Sequence, residues 1–314
     1  MKPLIFIDGE AGTTGLQINS QLNGRHDIEL LQLSPIDRKD PLKRAEALNS
    51  CDIAILCLPD DAARQAMTFV KNPRVRVLDA SSAHRTAPGW VYGFPELTTG
   101  QSQRIAAAMR VSNPGCYPTG AIALLRPLIE AKIVPSDYPV NVHAVSGYSG
   151  AGRSLIDAYE NQQHPQHTKA PFRGYGLNLE HKHVPEMQTE ALLKYRPIFT
   201  PSYGKYRQGI VLYVPLHLRL LAPGISAEQI HSSLSEHYAN TEYINVLSLE
   251  QARAVPQLDP EYLNGSNKLD IYVFSKENAG SGHVLLAAVY DNLGKGASGA
   301  AVQNLNIMLN SRMK

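Results

Sequence analysis

The fold is decided near the N-terminus by residues 4–18, LIFIDGEAGTTGLQI. The apolar run Leu4 to Ile7 predicts a short buried strand, and the apolar spacing after Gly15 predicts a helix. Glycines between them allow a tight turn and let a phosphate approach the amides at the helix N-terminus. We therefore expect a dinucleotide site formed by Gly9, Gly12, Thr13, Thr14 and Gly15. The spacing is GxxGxxG rather than the better-known GxGxxG, so the alternative is a glycine turn made only for packing.

The rest of the first half continues this alternation of strands and helices. Apolar runs of strand type occur at 28–33, 53–58 and 75–78, and a stretch of helical composition lies at 62–70. Such alternation predicts βαβ units. The first domain is therefore expected to be a Rossmann-type, doubly wound α/β domain.

The second half has a different rhythm. Residues 210–220 alternate apolar and more polar side chains with period two, which is typical of a strand with one buried face. Shorter runs of this kind lie at 269–274 and 284–290. We expect an α+β domain built on a mostly antiparallel sheet with helices on one side. The predicted helices of this half are 184–194, 226–238 and 296–310.

Composition excludes several classes of protein. The 314 residues are 43% hydrophobic and 18% charged, which is ordinary for a globular chain. A net charge of +2 is too small to indicate a nucleic-acid partner, and no apolar run approaches the ~20 residues of a membrane span. The three cysteines are too few for a disulfide framework or a four-cysteine zinc site. We expect a reduced, cytoplasmic protein without a nucleic-acid or membrane partner.

The residues after the second strand bear on the choice of cofactor. An NAD-selective site usually carries Asp or Glu there for the ribose 2′-hydroxyl, whereas this chain has Ser34, with Arg38 and Lys39 close behind. This pattern favours NADP. The alternative is that the two cations only solvate a loop.

The most informative segment for chemistry is NPGCYPT, residues 113–119. Residues 110–112 have the composition of a strand end, Pro-Gly makes a turn, and the second proline suits the start of a helix. Cys116 is therefore predicted at a helix N-terminus, where the partial positive charge favours thiolate and lowers a cysteine pKa below ~8.5. We interpret Cys116 as a nucleophile. The alternative is a small core residue, which is the interpretation we give Cys51 and Cys57.

A cysteine nucleophile needs a partner that moves protons, and EHKHVPE, residues 180–186, supplies His181 and His183. Period-two spacing points two side chains to opposite sides of an extended segment, so we expect only one histidine to meet the cysteine. Which of the two it is stays open. A metal site made from these histidines and Glu186 lacks an obvious further ligand set.

Two later glycine-rich segments offer anion-binding groups. SGYSGAGR, residues 146–153, supplies backbone amides, hydroxyls and one guanidinium, and DNLGKGASGA, residues 291–300, precedes the final helix. The substrate-binding candidates are Ser149, Gly150, Arg153 and Glu186. The alternative for each segment is a strand-to-helix turn.

A nucleotide loop, a cysteine at a helix N-terminus and a histidine together support one chemistry. The thiolate attacks an activated acyl group and the leaving group departs. Hydride from a nicotinamide then reduces the thioester to an aldehyde, while histidine handles the proton.

At residues 113–119, 146–153, 181–186 and 292–300 the sequence closely resembles the short form of the N-acetyl-γ-glutamyl-phosphate reductases, in the semialdehyde dehydrogenase superfamily. The resemblance covers nearly the whole chain, and NPGCYPT and KGASGAAVQN are its most specific segments. It implies NADPH-dependent reductive dephosphorylation of a small-molecule acyl phosphate in arginine biosynthesis. Cys116 would then be the nucleophile, and His181 or His183 the acid/base.

The resemblance also implies how the cofactor and the domains are arranged. NADP(H) would bind through the first glycine loop and, near the nicotinamide, through 292–296. The cofactor-binding candidates are Gly9, Gly12, Thr13, Thr14, Gly15, Ser34, Arg38, Ser81, Asn292, Lys295 and Gly296. The final helix would return to the nucleotide domain, giving one domain of 1–115 with 293–314 and another of 116–292. Members commonly form dimers or tetramers, so a homo-oligomer is expected.

Two segments depart from the common pattern of that family. GEAGTTG, residues 9–15, stands where most members carry GASGYTG, and SSAHR, residues 81–85, replaces SADFR. Both departures concern nucleotide contacts rather than the chemistry. The alternative functions are reduction of another acyl phosphate, aspartyl or aminoadipyl phosphate, and a non-catalytic NADP-sensing protein.

Overall fold

The computed structural model describes residues 2–276 and 282–310. The strands are β1 (Leu4–Asp8), β2 (Glu29–Leu31), β3 (Ile53–Leu56), β4 (Arg76–Asp79), β5 (Val91–Tyr92), β6 (Arg110–Ser112), β7 (Asn141–Gly147), β8 (Phe172–Gly174), β9 (Ile198–Gly204), β10 (Ile210–His217), β11 (Ile244–Val246), β12 (Leu269–Lys276) and β13 (His283–Tyr290). The α-helices are α1 (Thr13–Leu22), α2 (Pro41–Ser50), α3 (Asp60–Phe69), α4 (Gln101–Ala107), α5 (Cys116–Glu130), α6 (Arg153–Glu160), α7 (Val184–Glu190), α8 (Ala227–Tyr238), α9 (Leu249–Ala254) and α10 (Gly299–Asn310).

One compact unit comprises, among the described residues, 2–95, Gly100–Gly115 and 297–310. Its six strands lie in the order β2-β1-β3-β4-β6-β5, and all five pairs are parallel. The doubly wound sheet predicted from the strand–helix alternation is confirmed. The order reverses beside β1, so the glycine loop that follows β1 lies at the switch point where α/β sheets bind ligands.

Apolar side chains cover both faces of this sheet. The face with Ile5, Ile7 and Ile55 packs against α1 and α10, and the face with Phe6 and Ala54 packs against α2 and α3. Parallel strands buried on both faces carry near-continuous apolar runs, which explains the sequence pattern of this half. The last helix, α10, packs onto this unit, although the residues of the second unit precede it in the chain.

The second unit comprises Glu96–Thr99 and Cys116–Gly296. Its seven strands lie in the order β11-β12-β13-β10-β7-β9-β8. Two pairs, β11 with β12 and β7 with β9, are parallel and the other four are antiparallel. The prediction of a mostly antiparallel sheet is confirmed, within a mixed topology.

Three details of this half differ from the sequence-based expectation. Helices lie on both faces of the sheet, because Ala252 of α9 packs against Val211 and Val289, whereas α5 contacts the opposite face through Tyr290. The helix predicted to reach residue 194 ends at Glu190, since Leu192 adopts a left-handed φ of 62°. The final α-helix begins at Gly299 instead of 296, after a wide helical turn over Gly294–Ser298.

Within residues 2–276 and 282–310, the structure contains no helix with both the length and the apolar character required to cross a membrane.

Candidate active site

Cys116 is the first residue of α5, as the sequence predicted, and it is half-buried. The turn before it is held in the first unit, where the Asn113 side chain donates to the Ala297 carbonyl at 3.0 Å and accepts from Asn304 at 3.0 Å. The first-turn amides of a helix carry a partial positive charge. The nucleophile candidate therefore stands where a thiolate is favoured.

Two contacts within the second unit fix the first turn of α5. The Tyr290 hydroxyl donates to the Cys116 carbonyl at 2.7 Å and accepts from the Gly120 amide at 3.2 Å. Gly296 lies so close that a Cβ there would be 3.1 Å from the Cys116 Cβ. The backbone beside the nucleophile is therefore set by β13 and by the glycine-rich segment after it.

Both histidines of the 180–186 segment lie against Tyr117, the neighbour of Cys116. The His181 and His183 ring centroids are each 5.9 Å from the Tyr117 ring and 4.7 Å from each other. The segment forms a turn before α7 instead of an extended strand, and the His183 amide donates to His181 Nδ1 at 3.1 Å. The expectation that the two rings point apart is therefore wrong, because it assumed an extended backbone.

A group of tyrosines beside this site was not recognised in the sequence. The Tyr175 hydroxyl donates to the Tyr117 hydroxyl at 2.9 Å, and the Tyr175 ring stacks on Tyr203 at 4.2 Å. Burial, reinforced by the neighbouring Cys116, raises the pKa of Tyr203 to about 12. In the sequence, Tyr175 ends a long stretch, 162–175, without a regular pattern, and such stretches often carry function, whereas in the structure it directly follows β8. That length was the only signal available.

The four substrate candidates occupy different environments. Ser149 is buried and its hydroxyl accepts from the Asn292 side chain at 3.2 Å, while Gly150 is exposed. The exposed Arg153 pairs with Asp157 at 2.9 Å, and Glu186 is buried in the first turn of α7. Their roles in substrate binding stay predictions.

Three of the cofactor candidates belong to the same unit as Cys116. The Asn292 side chain accepts from the Gly209 amide at 2.7 Å while donating to Ser149, so it fastens two loops together. Lys295 is fully buried and pairs with Glu96 at 2.8 Å; burial lowers the pKa of its ammonium. Gly296 packs on the nucleophile, as described above. Contacts of these three residues with a nucleotide stay predictions.

The other cofactor candidates belong to the first unit. Gly9 has a left-handed φ of 93°, and a Cβ on Gly15 would lie 2.3 Å from the Gly9 carbonyl oxygen, so this loop requires glycine at both positions. Gly12 caps α1, and no side chain caps the amides of its first turn, at Thr13 and Thr14. A cradle of this kind fits a pyrophosphate.

The remaining candidates of that unit lie after β2 and β4. The Ser34 hydroxyl donates to Asp37 at 2.7 Å, and the Arg38 guanidinium pairs with Glu10 at 2.5 Å. The Ser81 hydroxyl is buried and donates to Asp79 at 2.8 Å. Arg38 also lines a cavity beside the glycine loop. The roles of Ser34, Arg38 and Ser81 stay predictions.

We expect replacement of Gly9 by alanine to weaken NADPH binding at least about tenfold and to lower the free energy of unfolding by more than about 2 kcal/mol. The added Cβ would lie 2.3 Å from the Cys57 carbonyl oxygen, at a φ that alanine rarely adopts. Fluorescence titration with NADPH and urea unfolding would measure the two effects.

The matched control is Gly24→Ala. Gly24 has a similar φ of 81°, but a Cβ there meets nothing within 4 Å. This variant should lose about 1 kcal/mol of stability and bind NADPH normally. Equal losses in the two variants would contradict the steric argument.

Two family descriptions match this chain. Residues 9–105 match "Semialdehyde dehydrogenase, NAD binding domain", and residues 116–292 match "Semialdehyde dehydrogenase, dimerisation domain". The chain is 58% identical over 310 residues to an N-acetyl-gamma-glutamyl-phosphate reductase of Burkholderia cenocepacia, with 99% of this chain and 98% of the relative covered. It is 59% identical over 308 residues to N-acetyl-gamma-glutamyl-phosphate reductase 2 of Pseudomonas putida, with 98% and 97% covered.

Solved structures of low sequence identity share the fold. An aspartate semialdehyde dehydrogenase II of Vibrio cholerae superimposes with a TM-score of 0.73 at 17% identity, with 99% of each chain covered. An aspartate semialdehyde dehydrogenase of Candida albicans, solved with NADP, gives a TM-score of 0.65 at 14% identity, with 100% of each chain covered.

Proposed function

The chain belongs to the N-acetyl-γ-glutamyl-phosphate reductases of the semialdehyde dehydrogenase family, and on this basis we propose that it performs their reaction. It reduces N-acetyl-L-glutamyl 5-phosphate to N-acetyl-L-glutamate 5-semialdehyde and phosphate with NADPH, in arginine biosynthesis. The observation that carries the proposal is the position of Cys116, which begins α5 beside a tyrosine ring that two histidines contact. A non-catalytic NADP-sensing protein has no use for this arrangement, and neither alternative function is favoured.

Cys116 acts first in the proposed mechanism. Its thiolate attacks the acyl carbon, and the carbon–oxygen bond to phosphate breaks as the thioester forms. The partial positive charge at the start of α5 stabilises the thiolate before attack. The Tyr290 hydroxyl donates a hydrogen bond to the Cys116 carbonyl, which fixes the position of the nucleophile at the start of α5.

One of the paired histidines moves the proton. His181 and His183 lie on the same tyrosine, so either ring can be oriented by the other and by the Tyr175–Tyr117 hydroxyl pair. NADPH supplies, when bound, the hydride that converts the thioester to the aldehyde. Release of the aldehyde returns the sulfur as thiolate, and the proton consumed overall leaves with the phosphate.

The first unit supplies the glycine loop that we propose for the pyrophosphate of the cofactor. The glycine loop fits a pyrophosphate because Gly9 and Gly15 leave no room for side chains and the start of α1 has no side-chain cap. We assign cofactor binding to the candidates named from the sequence. Of these, Arg38 has the chemistry to recognise a 2′-phosphate.

We place the substrate against Ser149, Gly150, Arg153 and Glu186, in the unit that carries Cys116. The proposed domains are 1–115 with 293–314 for the nucleotide and 116–292 for substrate and catalysis. The division of the described chain between Gly115 and Cys116 supports the first boundary, whereas the compact units divide again at Ala297 rather than at 293 and assign Glu96–Thr99 to the second unit. We further propose a homo-oligomer, since the second half matches a family described as a dimerisation domain. We also propose a cytoplasmic location, on the composition and the small number of cysteines.

The substrate assignment is tested in the reverse direction, by phosphate-dependent oxidation of semialdehydes with NADP⁺. We expect kcat/KM for N-acetylglutamate semialdehyde to exceed that for aspartate semialdehyde at least about 100-fold, since polar groups built for one substrate are left unpaired by another. Aminoadipate semialdehyde is the second comparison. A preference for either competitor would overturn the assignment and leave the thiolate chemistry intact.

A further inference from the structure

A cavity of about 480 Å³ opens beside the glycine loop of the first unit. It extends from Gly9, Glu10 and Ala11 to Leu33 and Pro35, past the end of β2. In a doubly wound fold, the adenosine ribose of a bound dinucleotide lies at this position. The cavity is therefore the place where NADP would present its 2′-phosphate.

Three cations and two carboxylates line the cavity. They are Arg38, Lys39, Arg44, Asp8 and Glu10. Each arginine is paired with one of the acids, Arg44 with Asp8 and Arg38 with Glu10. Among the described residues, no carboxylate lies within ion-pair distance of Lys39.

The two ion pairs are not equivalent. The Arg44 guanidinium contacts both oxygens of Asp8, at 3.1 and 2.8 Å, and both side chains are nearly buried. The Arg38 side chain is 40% exposed and meets only one oxygen of Glu10. Bidentate, buried pairs hold more strongly than exposed single contacts. Arg38 is therefore the cation that can leave its partner.

Glu10 itself is held in place. Its second carboxylate oxygen accepts from Asn19 of α1 at 3.2 Å, and its side chain is only 11% exposed. It is also one of three positions, with Ala11 and Thr13, at which the loop differs from the pattern GASGYTG of the resembling family, which has alanine in place of Glu10. The departure puts a fixed negative charge directly beside the cation best placed for the 2′-phosphate.

We propose that Glu10 is a specificity-determining residue, which holds Arg38 in an ion pair that the 2′-phosphate of NADP must displace. When the phosphate enters, Arg38 turns from Glu10 to the phosphate, with Lys39 as the second cation. The carboxylate thus competes with the phosphate and lowers the affinity for NADP without a comparable effect on NAD. This inference rests on the proposed use of NADP.

The test measures binding rather than turnover. Isothermal titration with adenosine 2′,5′-bisphosphate and with AMP compares ligands that differ only in the 2′-phosphate. We expect Glu10→Gln to bind the bisphosphate about three- to fivefold more tightly, with AMP affinity unchanged within twofold. Arg38→Gln should bind the bisphosphate about tenfold more weakly. In the Arg38→Gln background, adding Glu10→Gln should not raise the affinity for the bisphosphate.

Glu46→Gln is the matched control. Glu46 is an exposed carboxylate of α2 that pairs with Lys43 outside the cavity. This variant removes the same charge and should leave both affinities unchanged. Thermal melting checks that every variant is folded at the titration temperature.

Three results would overturn the proposal: no gain in Glu10→Gln, an equal gain for AMP, or a gain that persists without Arg38. Failure of the proposed function looks different. Wild-type protein would then show no phosphate-dependent oxidation of N-acetylglutamate semialdehyde with NADP⁺, a result that involves no variant.

Discussion

The Cys116→Ser variant is expected to lose at least about a thousandfold in kcat for acyl-phosphate reduction, while NADPH affinity changes less than about twofold. A serine hydroxyl at the start of α5 remains protonated at neutral pH, so the covalent step fails. Cys116 belongs to the second unit and the glycine loop to the first, so the substitution leaves the residues of that loop in place. Single-turnover kinetics and fluorescence titration with NADPH measure the two quantities separately.

Thiol alkylation gives an independent measurement of the same residue. Burial raises the pKa of Cys51 to about 12, and burial together with the nearby Asp79 and Asp8 carboxylates raises the pKa of Cys57 to about 12. At pH 7 these thiols hold almost no thiolate, so iodoacetamide should modify one residue per chain. Cys51→Ala is the matched control and should react as the wild type does, whereas Cys116→Ser should not react. Full turnover in Cys116→Ser would contradict the covalent mechanism.

The second large effect is expected at the buried ion pair of Lys295 and Glu96. Lys295→Met should lower the free energy of unfolding by about 3–5 kcal/mol, because it leaves a buried carboxylate without its cation. Lys295 precedes Gly296, which packs on Cys116, so activity should fall even where the variant is folded. Urea unfolding measures the stability change, and kcat below the unfolding transition measures the catalytic one.

A double variant separates the charge from the packing. Lys295→Met combined with Glu96→Leu removes both charges and should recover most of the lost stability, since apolar replacements of a buried pair are often near neutral. Lys43→Met, at the exposed pair with Glu46, is the matched control and should cost less than about 0.5 kcal/mol. If Lys295→Met alone were as stable as wild type, the Lys295–Glu96 pair would not stabilise this unit.

Much of the fold followed from local patterns. Apolar runs separated by helical stretches indicate a parallel sheet, because strands buried on both faces carry mostly apolar residues. Period-two alternation in 210–220 similarly predicted a strand with one buried face in a sheet with helices on one side, but the structure places helices on both faces of that sheet. The pattern failed there because a short helix such as α9 covers only part of a face.

Part of the candidate site also followed from the sequence. A strand end, a Pro-Gly turn and a helix start are local features, so the position of Cys116 at a helix N-terminus could be predicted. The geometry of His181 and His183 could not, because a turn replaced the extended segment that the spacing argument assumed. Tyr175 was missed because its contact with Tyr117 joins residues 58 positions apart.

The nucleotide-binding fold, the placement of the cysteine and the class of chemistry could be predicted from local sequence, since each depends on residues close together in the chain. The contacts that hold these features in place join residues that are far apart in the chain. Tyr290 and Cys116 are 174 residues apart, and Lys295 and Glu96 are 199 apart. The Glu10–Arg38 pair, too, exists only because parallel strands bring the loops after β1 and β2 to the same edge of a sheet. Pairing of this kind depends on the packing of the whole sheet, which local spacing does not record.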